Sequence, residues 1–127
     1  MFEPTPPKPT DAELAILNVL WKHGASTVRK VHETIGGETG YTTVLKMLQV
    51  MTEKGLVTRN ESQRAHVYEP VRSKTDTQRQ LLSGLLKKAF GGSTSQLVMQ
   101  ALSSKRATAE ELAEMQKLIE QLSKEKR

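Results

Sequence analysis

The chain contains no cysteine, which removes disulfides, thiolate metal sites and a cysteine nucleophile in one step. Aromatic residues make up only 4% of it, with a single tryptophan, so Leu, Ile, Val and Met must build whatever core exists. No stretch approaches the roughly 18 consecutive apolar residues needed to cross a bilayer. The opening, Met1 to Pro9, has neither a basic start nor an apolar run, so it does not read as a secretory signal. These absences together predict a cytoplasmic protein. His23, His32 and His66 are scattered, with no i, i+4 pair, and read as surface residues rather than metal ligands. Serines are plentiful, yet no nucleophile elbow or Gly-rich phosphate loop surrounds any of them. The expectation is a protein that is not an enzyme and has no cofactor, metal or small-molecule substrate.

What the chain does have is positive charge. Its net charge is +5 over 127 residues, with a pI near 9.6, a balance that suits a polyanionic partner. A chain this short buries roughly two-thirds of its unfolded surface. It has room for one ordinary domain, or for two very small ones that lean on partners.

Pro4, Pro6, Pro7 and Pro9 keep the start extended, so residues 1–9 read as a disordered tail. Thr10-Asp11-Ala12-Glu13 has the form of a capping box. Behind it, Leu14, Leu17 and Trp21 recur at helical spacing, widened by Ile16 and Leu20, with Gly24 as the stop. Ser26 or Thr27 can cap a second helix whose face is Val28, Val31 and Ile35, ended by Gly36-Gly37. Thr42 or Thr43 then caps a third helix running to about Lys54, closed by Gly55. This is helix-turn-helix order. After Gly55 the pattern alternates: 56–59 and 66–68 read as two short strands, with 60–65 as a polar loop and Pro70 as the end. Two strands alone are marginal in water, so the hairpin must pack on the helices. The predicted fold is mainly α with a small β-hairpin wing, a winged helix-turn-helix over 10–72.

Residues 73–127 read as a helical dimerisation region of three short helices. Leu81, Leu82, Leu85, Leu86, Ala89 and Phe90 form one apolar face, ended by Gly91-Gly92. Ser93 or Thr94 caps a helix carrying Leu97, Val98, Ala101 and Leu102. Thr108-Ala109-Glu110-Glu111 is a second capping box. Leu112, Met115, Ile119 and Leu122 follow at steps of 3, 4 and 3, the spacing of a helix seam. Nothing in the segment can cover these faces, which argues for a partner chain. The expected dimer contacts are Leu81, Leu85, Phe90, Leu97, Val98, Leu112, Met115, Ile119 and Leu122.

Placed on a wheel at about 100° per residue, the third helix puts Val44, Met47, Leu48 and Met51 on one side, with Leu45 at the border. Thr42, Lys46, Gln49 and Glu53 lie opposite, flanked by Thr43 and Val50. Lysine can approach guanine, glutamine can pair with adenine, and threonine methyls can meet a thymine methyl. A double-stranded DNA operator is therefore the expected partner. Arg59, Arg64 and His66 on the hairpin, and Arg29 near the start of the second helix, are candidate phosphate contacts. The alternative is a winged helix used for protein–protein contact without DNA.

The ordered set Thr10–Leu17 with Leu20-Trp21, Thr27–Val31, Tyr41–Val44, Lys54-Gly55-Leu56 and Val67-Tyr68 resembles the BlaI/MecI/CopY family of penicillinase repressors. The steps at Phe90–Ser93 and Thr108–Leu112 match that family's C-terminal region. The resemblance implies a homodimeric repressor on a pseudo-palindromic operator, with one winged helix on each half-site. It also implies release when a membrane-bound sensor peptidase triggers cleavage in the C-terminal region, at a point corresponding here to Gln100-Ala101. Two departures stand out. The family often has an aromatic-Ser pair before the recognition threonine and an arginine late in that helix, where this chain has Gly40-Tyr41-Thr42-Thr43 and Val50. The family's cleavage site is an Asn-Phe pair after a Leu-Val-apolar run, where this chain has Gln100-Ala101 after Leu97-Val98-Met99. The absence of cysteine sets the chain apart from the copper-sensing branch.

Overall fold

The computed structural model describes residues 6–104 and 106–126. Helix α1 (Asp11–His23) opens on the Thr10 capping box: the Thr10 hydroxyl accepts from the Glu13 backbone, and the Glu13 carboxylate accepts from the Thr10 backbone. It closes at Gly24, whose φ of 83° is open to glycine and would strain a residue with a side chain. Helix α2 (Val28–Ile35) uses Thr27 as its cap.

Helix α3 spans Tyr41–Lys54, and its N-cap is Gly40. The expectation that Thr42 or Thr43 caps this helix is corrected. The first intrahelical bond runs from the Val44 N–H to the Gly40 carbonyl at 3.2 Å, which puts both threonines inside the first turn. Their side chains are thereby left exposed. At the other end the N–H groups of Gly55 and Leu56 both reach back to the Met51 carbonyl. Leu56 therefore finishes the helix rather than starting the strand.

Strands β1 (Val57–Asn60) and β2 (Val67–Pro70) pair antiparallel, with Val57 opposite Pro70 and Asn60 opposite Val67. Each is offset slightly from its sequence-derived bounds. The hairpin also gains a third arm. Ser26 exchanges both backbone hydrogen bonds with Tyr68, at 3.0 and 2.8 Å. This one-residue bridge ties the wing to the start of α2 and relieves the marginality of an isolated two-stranded sheet.

Every element of this half contributes to one core. Ile16, Leu17, Val19 and Leu20 come from α1, Val28 and Val31 from α2, and Val44, Leu48 and Met51 from α3. Leu56, just past the end of α3, and Val57 and Tyr68 from the hairpin close it. Burying each large apolar side chain contributes about 1.5–3 kcal/mol. Trp21 packs against the edge of this cluster, and its indole N–H donates to the Arg72 carbonyl at 3.0 Å. A charged clasp joins α1 to the end of α3: Lys54 Nζ lies 2.6 Å from Glu13 Oε1. Burial of Glu13 works against ionisation, but hydrogen bonds from Lys54 and from the Thr10 backbone outweigh it. The Glu13 carboxyl is held below its ordinary value.

The chain divides into two compact units, the first ending at Leu82 and the second beginning at Ser83. The division falls inside helix α4 (Lys74–Phe90), whereas the boundary expected after residue 72 falls just before it. Residues 6–9 of the expected disordered tail are placed against the first unit: Pro9 is buried, and the Pro6 and Pro7 carbonyls accept from the Gln80 side chain. Residues 1–5 of that expectation lie outside the described residues.

In the second unit α4 ends at Gly91-Gly92, with φ of 55° and 83°. Helix α5 (Thr94–Ser103) is capped by Ser93, and α6 (Ala109–Glu125) by the Thr108 capping box. Helices α4 and α6 have 17 residues each, longer than the short helices expected. No residue described in α5 or α6 is buried. Among the described residues, no helix is long and apolar enough to cross a membrane.

Candidate nucleic-acid interface

The candidate interface centres on α3, which presents two opposite faces. Val44, Leu48 and Met51 are fully buried on one of them. Thr42, Thr43, Lys46, Gln49 and Val50 are exposed, Val50 at 40% although it is apolar. An exposed valine beside exposed threonines provides methyl groups able to contact a thymine methyl, while Lys46 and Gln49 provide donors for base edges. A shallow groove of about 330 Å³ is lined by Thr10, Glu13, Thr43, Lys46, Met47 and Val50. Its one carboxylate, Glu13, is engaged by Lys54, which leaves Lys46 as the uncommitted charge there.

The presentation of α3 depends on the turn before it. Gly36 and Gly37 both have positive φ, 63° and 70°, a run that non-glycine residues rarely adopt. His32 then secures the turn: its Nε2 donates to the Thr39 carbonyl at 2.9 Å. A carbonyl can only accept, which places a proton on Nε2. The same ring meets the Tyr41 ring edge-on, with centroids 5.9 Å apart and planes at 83°. The reading of all three histidines as surface residues is corrected for His32, which is half-buried, while His23 and His66 are exposed. The signal available in the sequence was the position of His32 one turn before Gly36, facing the turn it braces.

The wing separates the predicted basic residues into two groups. Arg29, Arg64 and His66 come together, with Thr27, Tyr41 and Tyr68, around an open groove of about 450 Å³. Arg59 stands apart, ion-paired with Glu61. The Tyr68 phenol and the Glu61 carboxylate hold its guanidinium above the ordinary arginine value. Arg59 is thus paired within the wing, whereas Arg64 lines the groove. Asn60 shapes the loop by accepting the Ser62 N–H at 2.8 Å.

Apart from Leu81, which lies at the end of the first unit, the predicted dimer residues fall in the second. Leu85, Val98, Leu112, Ile119 and Leu122 are exposed, and Leu81, Phe90, Leu97 and Met115 are half-buried. Gln100 and Ala101 are exposed on α5.

Three helices around one core, an exposed face on the third, and a two-stranded wing bridged to the second define a winged helix-turn-helix protein. A penicillinase repressor family model matches residues 9–121. The chain belongs to that family, whose members are DNA-binding transcriptional repressors and not enzymes. It is 24% identical to a penicillinase repressor of Bacillus licheniformis over 117 residues, 91% of each chain. It is 37% identical over 79 residues to the transcriptional regulator BlaI of Mycobacterium tuberculosis, covering 60% of this chain and 54% of that one. A solution structure of monomeric Bacillus licheniformis BlaI in complex with the blaP half-operator matches with a TM-score of 0.49 at 27% identity. That match covers 57% of this chain and 90% of that one.

Proposed function

We propose that this repressor acts as a homodimer on a pseudo-palindromic duplex operator, each winged helix occupying one half-site. The observation that carries the reading is the exposed face of α3, on which Thr42, Thr43, Lys46, Gln49 and Val50 lie opposite a fully buried stripe. Such a helix fits the width of the major groove, with its short polar side chains toward base edges. Arg29, Arg64 and His66 flank it as backbone contacts that set register. The partner copy covers the exposed leucines and isoleucine of α4 and α6, whose seam spacing suits helix-on-helix packing.

Release follows when a membrane-bound sensor peptidase triggers cleavage at Gln100-Ala101. A protease needs extended backbone, and the helix α5 that holds this bond has no buried residue to resist unwinding. Cutting there separates α6 from the rest of the dimer seam.

The test is salt-dependent binding to a duplex operator. Several lysine and arginine contacts to phosphate release counterions, so affinity should fall steeply and linearly in log–log form as salt rises. Absence of duplex binding at low salt would overturn the reading in favour of a protein–protein module.

A further inference from the structure

Helix α4 does not begin as a free linker. Four parts of the chain meet at its first turns. Ser73 caps the helix, its hydroxyl accepting from the Asp76 N–H at 3.0 Å. Trp21, from α1, donates to the Arg72 carbonyl just before it. The extended residues 6–9 then cross this joint. Gln80 on α4 donates its side-chain amide to the Pro6 carbonyl at 2.9 Å and to the Pro7 carbonyl at 3.3 Å. Pro7, Pro9, Leu17, Trp21, Leu56, Arg72, Thr77 and Gln80 close around a crevice with only about 10 Å³ left inside. Pro9 is buried and Thr77 is 4% exposed.

Prolines suit this position. They lack N–H donors that would need partners, they fix the extended backbone at little entropic cost, and their free carbonyls are good acceptors. A glutamine amide has two donor hydrogens, enough to hold two successive carbonyls. The bonds join residues more than seventy positions apart, so they constrain the tertiary arrangement and not local helix formation.

We infer that Gln80 is a positioning residue for operator recognition: with the proline strap of residues 6–9 it anchors the first turns of α4 to the winged helix, and thereby narrows the half-site spacing that the dimer accepts. The inference rests on the dimeric reading above. A joint that swivelled would still let each winged helix bind a half-site. It would lose the matched geometry that makes the second half-site an intramolecular event of high effective concentration.

The experiment uses the full-length protein, its Gln80→Ala variant, and a truncation in which residues 1–9 are replaced by a single Met so that the Thr10 cap survives. Each is titrated against a single half-site, and against full operators whose half-site separation is stepped by one base pair. Trp21, the only tryptophan, reports on the crevice through its emission. The expected result is half-site affinity within about two-fold of the parent for both variants. Full-operator affinity at the preferred spacing should fall about ten-fold, with flatter dependence on spacing and red-shifted Trp21 emission. Parent-like spacing selectivity in both variants would overturn the role of the strap. A parent protein that gains nothing from a second half-site would instead overturn the dimeric reading, an outcome separable because the variants play no part in it. Equal losses on half-site and full operator would make Gln80 a stability residue only and would also reject the inference.

Discussion

The two halves of this chain carry similar helical patterns of apolar residues and do opposite things with them. In the first, three helices of 13, 8 and 14 residues close around Ile16, Val31, Val44 and Leu48, all at 0% exposure. In the second, helices of 10 and 17 residues bury none of their described residues. Ile119 and Leu118 remain more than half exposed, at 57% and 54%. Periodicity alone therefore says which face is apolar, not whether the chain can cover it. The first half has a hairpin and a crossing third helix to seal its core. The second has neither, and its apolar stripe is available to another molecule.

The sharpest way to break this contrast is to remove the second half. A chain ending at Leu82 keeps the Trp21 and Gln80 contacts and should fold as a monomer. Its affinity for a full operator should fall by about 10²- to 10⁴-fold, the range lost when a linked site becomes independent. Sedimentation and operator titration measure both quantities, and a full-length chain that is monomeric at micromolar concentration would contradict the comparison.

Paired truncations then ask where stability resides. Leu48→Ala should cost about 2–5 kcal/mol of folding free energy, since the side chain is wholly buried and its removal leaves a cavity. Ile119→Ala should weaken self-association while leaving the melting of the first half unchanged. Denaturant curves at two protein concentrations separate the two effects, because only dimer-linked stability depends on concentration.

Within the first half the contrast is between reading and anchoring. Lys46→Ala and Gln49→Ala should each reduce discrimination between operator and random DNA by about 1–3 kcal/mol. Arg64→Ala should weaken binding to both and lower the salt slope by about one unit. Arg59→Ala should do less than Arg64→Ala, because Glu61 already neutralises it. Competition binding at three salt concentrations distinguishes these outcomes.

The smallest effect concerns pH. The folded Glu13 carboxyl lies below its ordinary value of 4.5. Its contribution to stability is therefore fully present above that value and is lost as pH falls through the lower, folded one. Melting temperatures measured downward from about pH 6 should drop less steeply in Glu13→Gln than in the parent over this acid window. Identical acid slopes would show that the clasp to Lys54 is not coupled to folding.

Much of the architecture was legible because it is local. Capping boxes at Thr10 and Thr108, and glycine stops at 24, 36, 55 and 91, act within one turn of themselves. The α3 faces follow from helical geometry alone. What escaped was tertiary. Gly40 caps α3 without a side chain, so no residue type signals it. The Ser26 bridge, the His32 brace and the Glu13–Lys54 clasp join residues that only the finished fold brings together. Residues 6–9 looked like a tail because prolines exclude helix, yet exclusion from helix does not mean absence of a binding surface. The separation of Arg59 from Arg64 was likewise invisible, since both lie near an acidic residue in the sequence and only one is paired with it.

The single-residue bridge at Ser26 also bears on the order of folding. Its partner, Tyr68, lies about forty residues away, and closing so long a loop costs entropy that no local contact repays. The helices between them must be in place to bring the ends near one another. Because Tyr68 and Val57 are also buried among the helices' side chains, the wing locks together with that core and not as a separate late step.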